Sequence, residues 1–109
     1  MNQKIFGQVG RLKSGKVEEY INLHKEVWPD VLKVIKKCNL QNYSIFIKDN
    51  IVFAYFEYTG SNYEEDMKYM EKDAVTQKWW SYTKPCFQFY SDNSSVKFYE
   101  NMEAIFYME

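Results

Sequence analysis

Histidine, cysteine, proline and glycine are all scarce in this sequence, which has one, two, two and four of them among 109 residues. Cys38 and Cys86 lack Cys-x-x-Cys spacing, and His24 is the only imidazole, so a Cys/His zinc site is not expected. Two free thiols in a reducing cytoplasm are expected, although a single bridge also fits the sequence. The sequence contains no glycine-rich phosphate loop and no serine or cysteine in a nucleophile context.

The sequence also lacks a large excess of either charge and lacks long apolar runs. The formal net charge is −1, from 14 basic and 15 acidic residues, with no basic run to follow a phosphate backbone. A nucleic acid is therefore not expected as a partner. No apolar run approaches a membrane span, and the N-terminus lacks a basic start followed by an apolar core. The protein is expected to stay in the cytoplasm without binding membranes.

Aromatic residues are abundant instead. They make up 19% of the chain and include 10 tyrosines and three tryptophans. Aromatic rings with polar tips suit a stacking pocket or a subunit interface, because they combine apolar area with a hydrogen-bonding group. The length and the hydrophobic fraction of 46% fit one domain over residues 1–109.

The hydrophobic periodicity predicts an α+β fold. Strands are expected over residues 4–12, 42–47, 51–58 and 102–108, and helices over 17–38, 63–70 and 75–82. Pro29 should interrupt the first helix and begin its second segment, and residues 87–96 are expected to form a loop. The order of strands and helices is that of a ferredoxin-like split βαβ sandwich. Strand 51–58 is apolar on both faces, so helices should cover one face and a second copy of the protein the other.

Tyr20, His24 and Trp28 stand at positions i, i+4 and i+8, which places them along one face of a helix. Histidine readily exchanges protons near neutral pH, and a flanking phenol and indole would make a wall for a small polar ligand. A lone histidine on an apolar helix face is, however, more often a hydrogen-bonded core residue than a catalyst.

A few other side chains extend this candidate site. They are the phenol of Tyr43 and the adjacent indoles of Trp79 and Trp80, of which only one can point fully inward because neighbouring helix residues lie about 100° apart. Together with His24 and Tyr20, these groups could move a proton and stack on the apolar face of a sugar ring. The set is poorly suited to chemistry that needs an electron sink or a strong nucleophile.

Five segments, in order along nearly the whole chain, resemble the L-rhamnose mutarotases, small bacterial proteins that interconvert sugar anomers. The segments are His24-x-x-x-Trp28-Pro29, Asn42-Tyr43-Ser44-Ile45-Phe46, Asp73-Ala74-Val75-Thr76-Gln77-x-Trp79-Trp80, Asp92-Asn93-Ser94 and Met102-Glu103-x-Ile105-Phe106-Tyr107. The chain departs from the family at Ser95, where a proline is common, and at Asn22-Leu23, where basic residues often precede the histidine.

The resemblance implies a dimeric α+β barrel, a homodimer, no cofactor and no metal. It also implies that His24 is the proton donor and that Tyr20, Tyr43, Trp79 and Trp80 bind the sugar. The expected activity is interconversion of the α and β anomers of a 6-deoxy aldose such as L-rhamnose.

Three alternatives stay open from the sequence. The first is a mutarotase for L-fucose or a related aldose. The others are a cofactor-independent monooxygenase of the same fold and a non-catalytic sugar-binding module, since this fold hosts many functions.

Overall fold

The computed structural model describes residues 4–109, which form five strands and four α-helices. The expectation that the N-terminus lacks a basic start followed by an apolar core partly concerns residues 1–3, which lie outside this range. The strands are β1 (Lys4–Leu12), β2 (Leu40–Lys48), β3 (Ile51–Tyr58), β4 (Phe87–Gln88) and β5 (Glu100–Met102). The helices are α1 (Val17–Leu23), α2 (Pro29–Lys37), α3 (Tyr63–Lys72) and α4 (Ala74–Thr83). The predicted α+β order is confirmed.

The strands form one antiparallel sheet in the order β2-β3-β1, and the free edge of β1 pairs with both β4 and β5. This is the strand arrangement of the split βαβ plan. The hairpin between β2 and β3 turns at Asp49, which has a positive φ of 56°. Asp tolerates this left-handed conformation better than most residues, so Asp49 suits the turn between the two strands.

The first predicted helix is broken earlier than its apolar period suggests. Helix α1 ends at Leu23, a 3₁₀ turn covers His24–Glu26, and Trp28 is extended with ψ 134°. A proline disfavours helical geometry in the residue before it, so Trp28 leaves the helix and Pro29 starts α2. The restart at Pro29 is confirmed, whereas the placement of Trp28 on the same helix face as His24 is wrong.

The final strand is shorter than predicted and is divided. The observed strand β5, Glu100–Met102, shares only Met102 with the expected strand 102–108, and the short strand Phe87–Gln88 forms inside the predicted loop. Residues 89–99 leave the sheet between these two strands. Hydrophobic periodicity does not reveal this division, because each strand is fixed by its hydrogen bonds to β1 rather than by its own sequence.

Side chains alternate across β3 between a covered and an open face of the sheet. Val52, Ala54, Phe56 and Tyr58 are buried, and the Phe56–Tyr58 cluster packs against apolar side chains of α2 and α3. A second buried cluster joins the sheet to α1 and to the segment after α4; its members are Leu12, Tyr20, Val52, Cys86 and Phe87. Helices therefore cover one face of the sheet.

Both cysteines are buried free thiols. No helix within residues 4–109 is long and apolar enough to cross a membrane.

Candidate functional site

His24 lies just after α1, where the chain tightens into a 3₁₀ turn. Its Nδ1 is 2.8 Å from the carbonyl oxygen of Tyr20, and the centroids of the two rings are 4.4 Å apart. Because a carbonyl oxygen can only accept a hydrogen bond, Nδ1 must carry the proton. Neutral His24 therefore has its lone pair on Nε2.

The histidine ring is half-buried at the wall of a cavity. No hydrogen bond to Nε2 is formed by any of residues 4–109. The cavity has a volume of about 280 Å³, close to the lower end of the roughly 300–1,000 Å³ range of small-molecule sites. Besides His24, its lining residues are Tyr20, Ile21, Lys25, Ile45, Phe46, Ile47 and Val52. A small ligand can therefore approach an imidazole that has one nitrogen anchored and one available.

Trp79 packs against the histidine from α4. Its ring meets His24 edge to face at a centroid distance of 5.5 Å and meets Trp28 at 5.2 Å. The side chain of Asp73 caps α4 by accepting a hydrogen bond from the Thr76 amide at 2.9 Å, which fixes the start of the helix that carries Trp79. Trp79 is only 6% exposed, so most of its ring surface is already in contact with protein.

Tyr43 lies on the same face of the sheet as Ile45, next to an irregularity in β2. The register with β3 shifts between Gln41 and Ser44, and Asn42 has a positive φ of 50°. The ring of Tyr43 then packs against Phe56 at 5.1 Å. The side chain is 38% exposed as a whole, and burial around its hydroxyl raises the pKa of Tyr43 to about 12.

Tyr99 is a residue of this region that the sequence reasoning missed. Its hydroxyl oxygen lies 2.8 Å from that of Tyr20, and its ring contacts Phe87 at 5.2 Å. No motif marks Tyr99, and its only sequence signal is its place shortly after the predicted Asp92-Asn93-Ser94 turn. The contact with Tyr20 arises because residues 89–99 leave the sheet on the way to β5.

Trp80 lies in a different environment from the other predicted site residues. The ammonium of Lys84 sits between two rings, 4.4 Å from the Trp80 centroid and 4.5 Å from that of Phe98. Trp80 lines a separate open cavity of about 600 Å³. The structure thus joins Tyr20, His24 and Trp79 directly. Neither Tyr43, whose ring packs on Phe56, nor Trp80 has a ring contact with any of these three within residues 4–109.

The electrostatics of the site suit proton transfer without a charged nucleophile. Burial raises the pKa of Tyr20 well above its usual value, and its hydrogen bond with Tyr99 only partly opposes this effect. Tyr20 and Tyr43 therefore stay protonated at neutral pH and serve as neutral hydrogen-bonding groups. Within residues 4–109, no three His, Cys, Asp or Glu side chains are grouped in a way that could hold a metal ion.

Sequence comparisons place the chain in one family of known proteins. A protein-family model described as L-rhamnose mutarotase matches residues 6–108. The chain is 34% identical over 96 residues to the L-rhamnose mutarotase of Oceanobacillus iheyensis, a match that covers 86% of this chain and 88% of the relative. It is 38% identical over 98 residues to the one of Clostridium beijerinckii, with coverages of 88% and 89%.

Solved structures show the same relationship. The crystal structure of an L-rhamnose mutarotase from Formosa agariphila superposes with a TM-score of 0.74 at 27% identity, covering 97% of this chain and 99% of that one. A NIPSNAP family protein from Agrobacterium tumefaciens superposes with a TM-score of 0.64 at 18% identity, covering 92% and 82% of the two chains, and shares the fold alone.

Proposed function

The chain belongs to the L-rhamnose mutarotase family, and from that premise we propose that it interconverts the α and β anomers of L-rhamnose with His24 as the proton donor. The observation that carries the proposal is the asymmetry of the His24 ring. Nδ1 is held by the Tyr20 carbonyl oxygen at 2.8 Å, while Nε2 has no partner within residues 4–109 and the ring lines a cavity.

The proposed reaction opens the pyranose ring and closes it again. Nε2–H of protonated His24 gives its proton to the ring oxygen, and the bond between this oxygen and the anomeric carbon breaks with its electron pair left on oxygen. The anomeric hydroxyl loses its proton to a water molecule, and its electrons form the aldehyde carbonyl. After rotation about the adjacent C–C bond, the same steps in reverse close the ring on the other carbonyl face.

The carbonyl of Tyr20 supports both protonation states of His24. A carbonyl oxygen accepts from Nδ1–H whether the imidazole is neutral or charged, so the ring keeps its orientation while Nε2 gains and loses a proton. A positioned acid or base of this kind typically accelerates a reaction by about 10² to 10⁴. This factor is sufficient for mutarotation, which already proceeds unaided in water.

Sugar binding is assigned to the aromatic groups around His24. In the proposal, the hydroxyls of Tyr20 and Tyr43 bond to sugar hydroxyls, and Trp79 offers the edge of its ring to the apolar C6 methyl. Trp80 belongs to the predicted sugar-binding set as well. Trp80 lies beside Lys84 and lines a cavity separate from the one at His24. It would therefore contact a sugar bound in that separate cavity.

A panel of aldoses tests the function directly. Anomer exchange of L-rhamnose, L-fucose, L-mannose and D-glucose would be followed by saturation-transfer NMR with and without the protein. We expect acceleration to be strongest for L-rhamnose. L-Mannose keeps the hydroxyl stereochemistry of L-rhamnose and replaces the methyl by a hydroxymethyl group, so it serves as the matched control for the apolar contact.

The outcomes separate the candidate functions. If the protein accelerated the anomer exchange of L-fucose alone, L-fucose would be the substrate and the reaction would still be mutarotation. Binding of L-rhamnose without faster exchange would contradict the proposal and favour a sugar-binding module.

We also propose that the protein is a homodimer that uses the open face of its sheet. Phe46 and Phe53 lie opposite each other in the β2–β3 register, on the face not covered by helices. They are 61% and 36% exposed, and their ring centroids are 6.3 Å apart. Contiguous exposed apolar area of this kind is typical of a protein interface, and a second copy would cover it.

A cytoplasmic location is proposed on the state of the cysteines. Cys38 and Cys86 are both buried free thiols, which is the state that a reducing compartment maintains.

A further inference from the structure

The segment 89–99 interrupts the last strand of the sheet. Before it, Gln88 pairs with Arg11 of β1, and after it, Glu100 pairs with Val9. Only Gly10 separates Arg11 from Val9 along β1, so the chain leaves the sheet and returns to almost the same point. The whole of residues 89–99 is therefore available to build something other than sheet.

Side chains at both ends hold this segment against the sheet. The Arg11 Nε donates a hydrogen bond to the carbonyl oxygen of Tyr90 at 3.1 Å, and the Ser94 hydroxyl donates to the carboxylate of Glu100. At the exit, the ring of Tyr99 meets Phe87 at 5.2 Å. Phe87 is itself buried in the core cluster, so the return path of the chain is fixed where it passes the candidate site.

The fixed return path brings the Tyr99 hydroxyl to the hydroxyl of Tyr20, with 2.8 Å between the oxygens. A phenol has one proton to donate and also accepts, so one of the two must be the donor. Whichever of the two donates, the bond fixes the rotation of the Tyr20 hydroxyl. The hydrogen-bonding capacity of Tyr20 that this bond does not use is then left for another partner.

We propose that Tyr99 is a positioning residue that acts through Tyr20. Its hydroxyl bonds to the Tyr20 hydroxyl at 2.8 Å and so orients the remaining hydrogen-bonding capacity of Tyr20, which lines the candidate cavity, toward a hydroxyl group of the bound sugar. The inference rests on the proposed function. Tyr20 also supplies the carbonyl that anchors His24, so one residue would orient both the sugar and the acid. Tyr99 itself need not touch the sugar.

The test is Tyr99→Phe, with Tyr90→Phe as the matched control. Tyr90 lies in the same segment, and its hydroxyl makes no hydrogen bond within residues 4–109, while its ring and carbonyl contact Arg11. Exchange of L-rhamnose would be measured by saturation-transfer NMR over a range of sugar concentrations. We expect Tyr99→Phe to raise KM by about 3- to 10-fold, the usual effect of one hydrogen bond, with kcat changed less than twofold. Tyr90→Phe should match the wild type in both.

A double-mutant cycle shows whether Tyr99 acts through Tyr20. In a Tyr20→Phe background, adding Tyr99→Phe should leave KM unchanged, because the hydroxyl that Tyr99 orients is already gone. A full KM effect of Tyr99→Phe in that background, or none in the wild-type background, would overturn the proposal. If Tyr99→Phe does not fold, 3-fluorotyrosine at position 99 keeps the ring and the hydroxyl but changes the acidity of the phenol and so the strength of its hydrogen bond. A changed KM that returns to the control value in the Tyr20→Phe background supports the proposal, and an unchanged KM overturns it.

The wild-type measurement distinguishes the two levels of inference. Wild-type protein that does not accelerate exchange overturns the proposed function and this inference together. Acceleration by wild-type protein with no response to Tyr99→Phe overturns this inference alone.

Discussion

His24 is oriented by a backbone carbonyl rather than by an acidic side chain. The Tyr20 carbonyl is free to accept because α1 ends at Leu23 and tightens at His24, and the last carbonyls of a helix lack their usual partners. A neutral acceptor fixes the ring without adding a negative charge beside it. The histidine can therefore both give and take a proton, which reversible ring opening requires.

Replacing His24 with alanine should abolish most of the catalysis while leaving the fold intact. We expect His24→Ala to reduce the accelerated anomer exchange by about 10²- to 10⁴-fold, since this removes the acid. Saturation-transfer NMR measures the rate, and Asn22→Ala, an exposed change on the same helix, is the control. Exchange within twofold of the wild-type rate would remove His24 from the mechanism.

Asp66 stabilises the other end of the molecule through hydrogen bonds to its carboxylate. The Tyr58 hydroxyl donates to it at 2.5 Å and the Asn39 amide at 3.0 Å, and these bonds, that of Tyr58 first, lower the pKa of Asp66 below its usual value. A carboxyl group whose pKa is lower in the folded than in the unfolded state stabilises the fold above its unfolded pKa. That stabilisation is lost as the pH falls through the folded pKa.

Asp66→Asn should therefore lower stability more at about pH 7 than at about pH 2, because the stabilisation by the charged carboxylate declines as the pH falls toward and through the lowered pKa of Asp66. The midpoint of urea unfolding at the two pH values measures this difference. Glu64→Gln, which replaces an exposed carboxylate on the same helix, is the control. Its stability difference from the wild type should not shrink between about pH 7 and about pH 2 in the same way. A destabilisation by Asp66→Asn that is equally large at both pH values would mean that the charge of Asp66 is not the cause.

At the scale of elements, local sequence signals predict each piece that depends on its own residues. The period-2 pattern places Tyr43 on the same face as Ile45, and Pro29 predicts the start of α2. Asparagine is a favoured helix N-cap, and Asn62 caps α3 by accepting a hydrogen bond from the Glu65 amide. In each case the side chain acts on backbone within a few residues, so the pattern contains the necessary information.

Other features depend on partners far along the chain, and the sequence does not predict them. The division of the last strand is set by pairing with β1, and the Tyr20–Tyr99 contact joins residues 79 positions apart. The candidate site shows the same limit. His24 and Tyr20 are neighbours through helix spacing, whereas the closeness of Trp79 and the separation of Trp80 follow from how α4 packs.

The absence of a side chain at Gly10 of β1 makes room for Phe87 of β4. A Cβ at position 10 would lie 2.7 Å from Cε2 of the buried Phe87 ring. We expect Gly10→Ala to lower the free energy of unfolding by about 1–3 kcal/mol, the usual cost of overpacking a core. Because Phe87 contacts Tyr20 and Tyr99, sugar affinity should fall as well.

Gly15→Ala is the control for this change, because an added Cβ there meets no atom within 4 Å. We expect Gly15→Ala to change the free energy of unfolding, measured by chemical denaturation, by less than about 1 kcal/mol. Equal stability of Gly10→Ala and wild-type protein would show that Phe87 can move without cost.

At the scale of the whole molecule, the sheet is covered by helices on one face only. The open face carries Phe46 and Phe53, and the C-terminal segment adds Ile105, Phe106 and Met108, which are 91%, 80% and 80% exposed. Water contact with so much apolar surface is unfavourable at about 25 cal/mol per Å². Burial against a second copy would remove this cost from both faces at once, since a two-fold interface uses the same surface twice.

A charge placed at the centre of this face should prevent assembly without damaging the protomer. Phe53→Lys would bring two ammonium groups, one from each copy, into an apolar interface, and desolvation and mutual repulsion should weaken dimerisation by roughly 100-fold or more. Sedimentation equilibrium measures the mass, and Leu32→Lys on α2, where the native side chain is 52% exposed, controls for the addition of charge elsewhere. We expect the wild type and Leu32→Lys to be dimers at about 10 µM and Phe53→Lys to be a monomer of unchanged helix content. A dimeric Phe53→Lys variant would place the interface elsewhere, because an apolar contact centred on β2 and β3 cannot hold two unpaired charges.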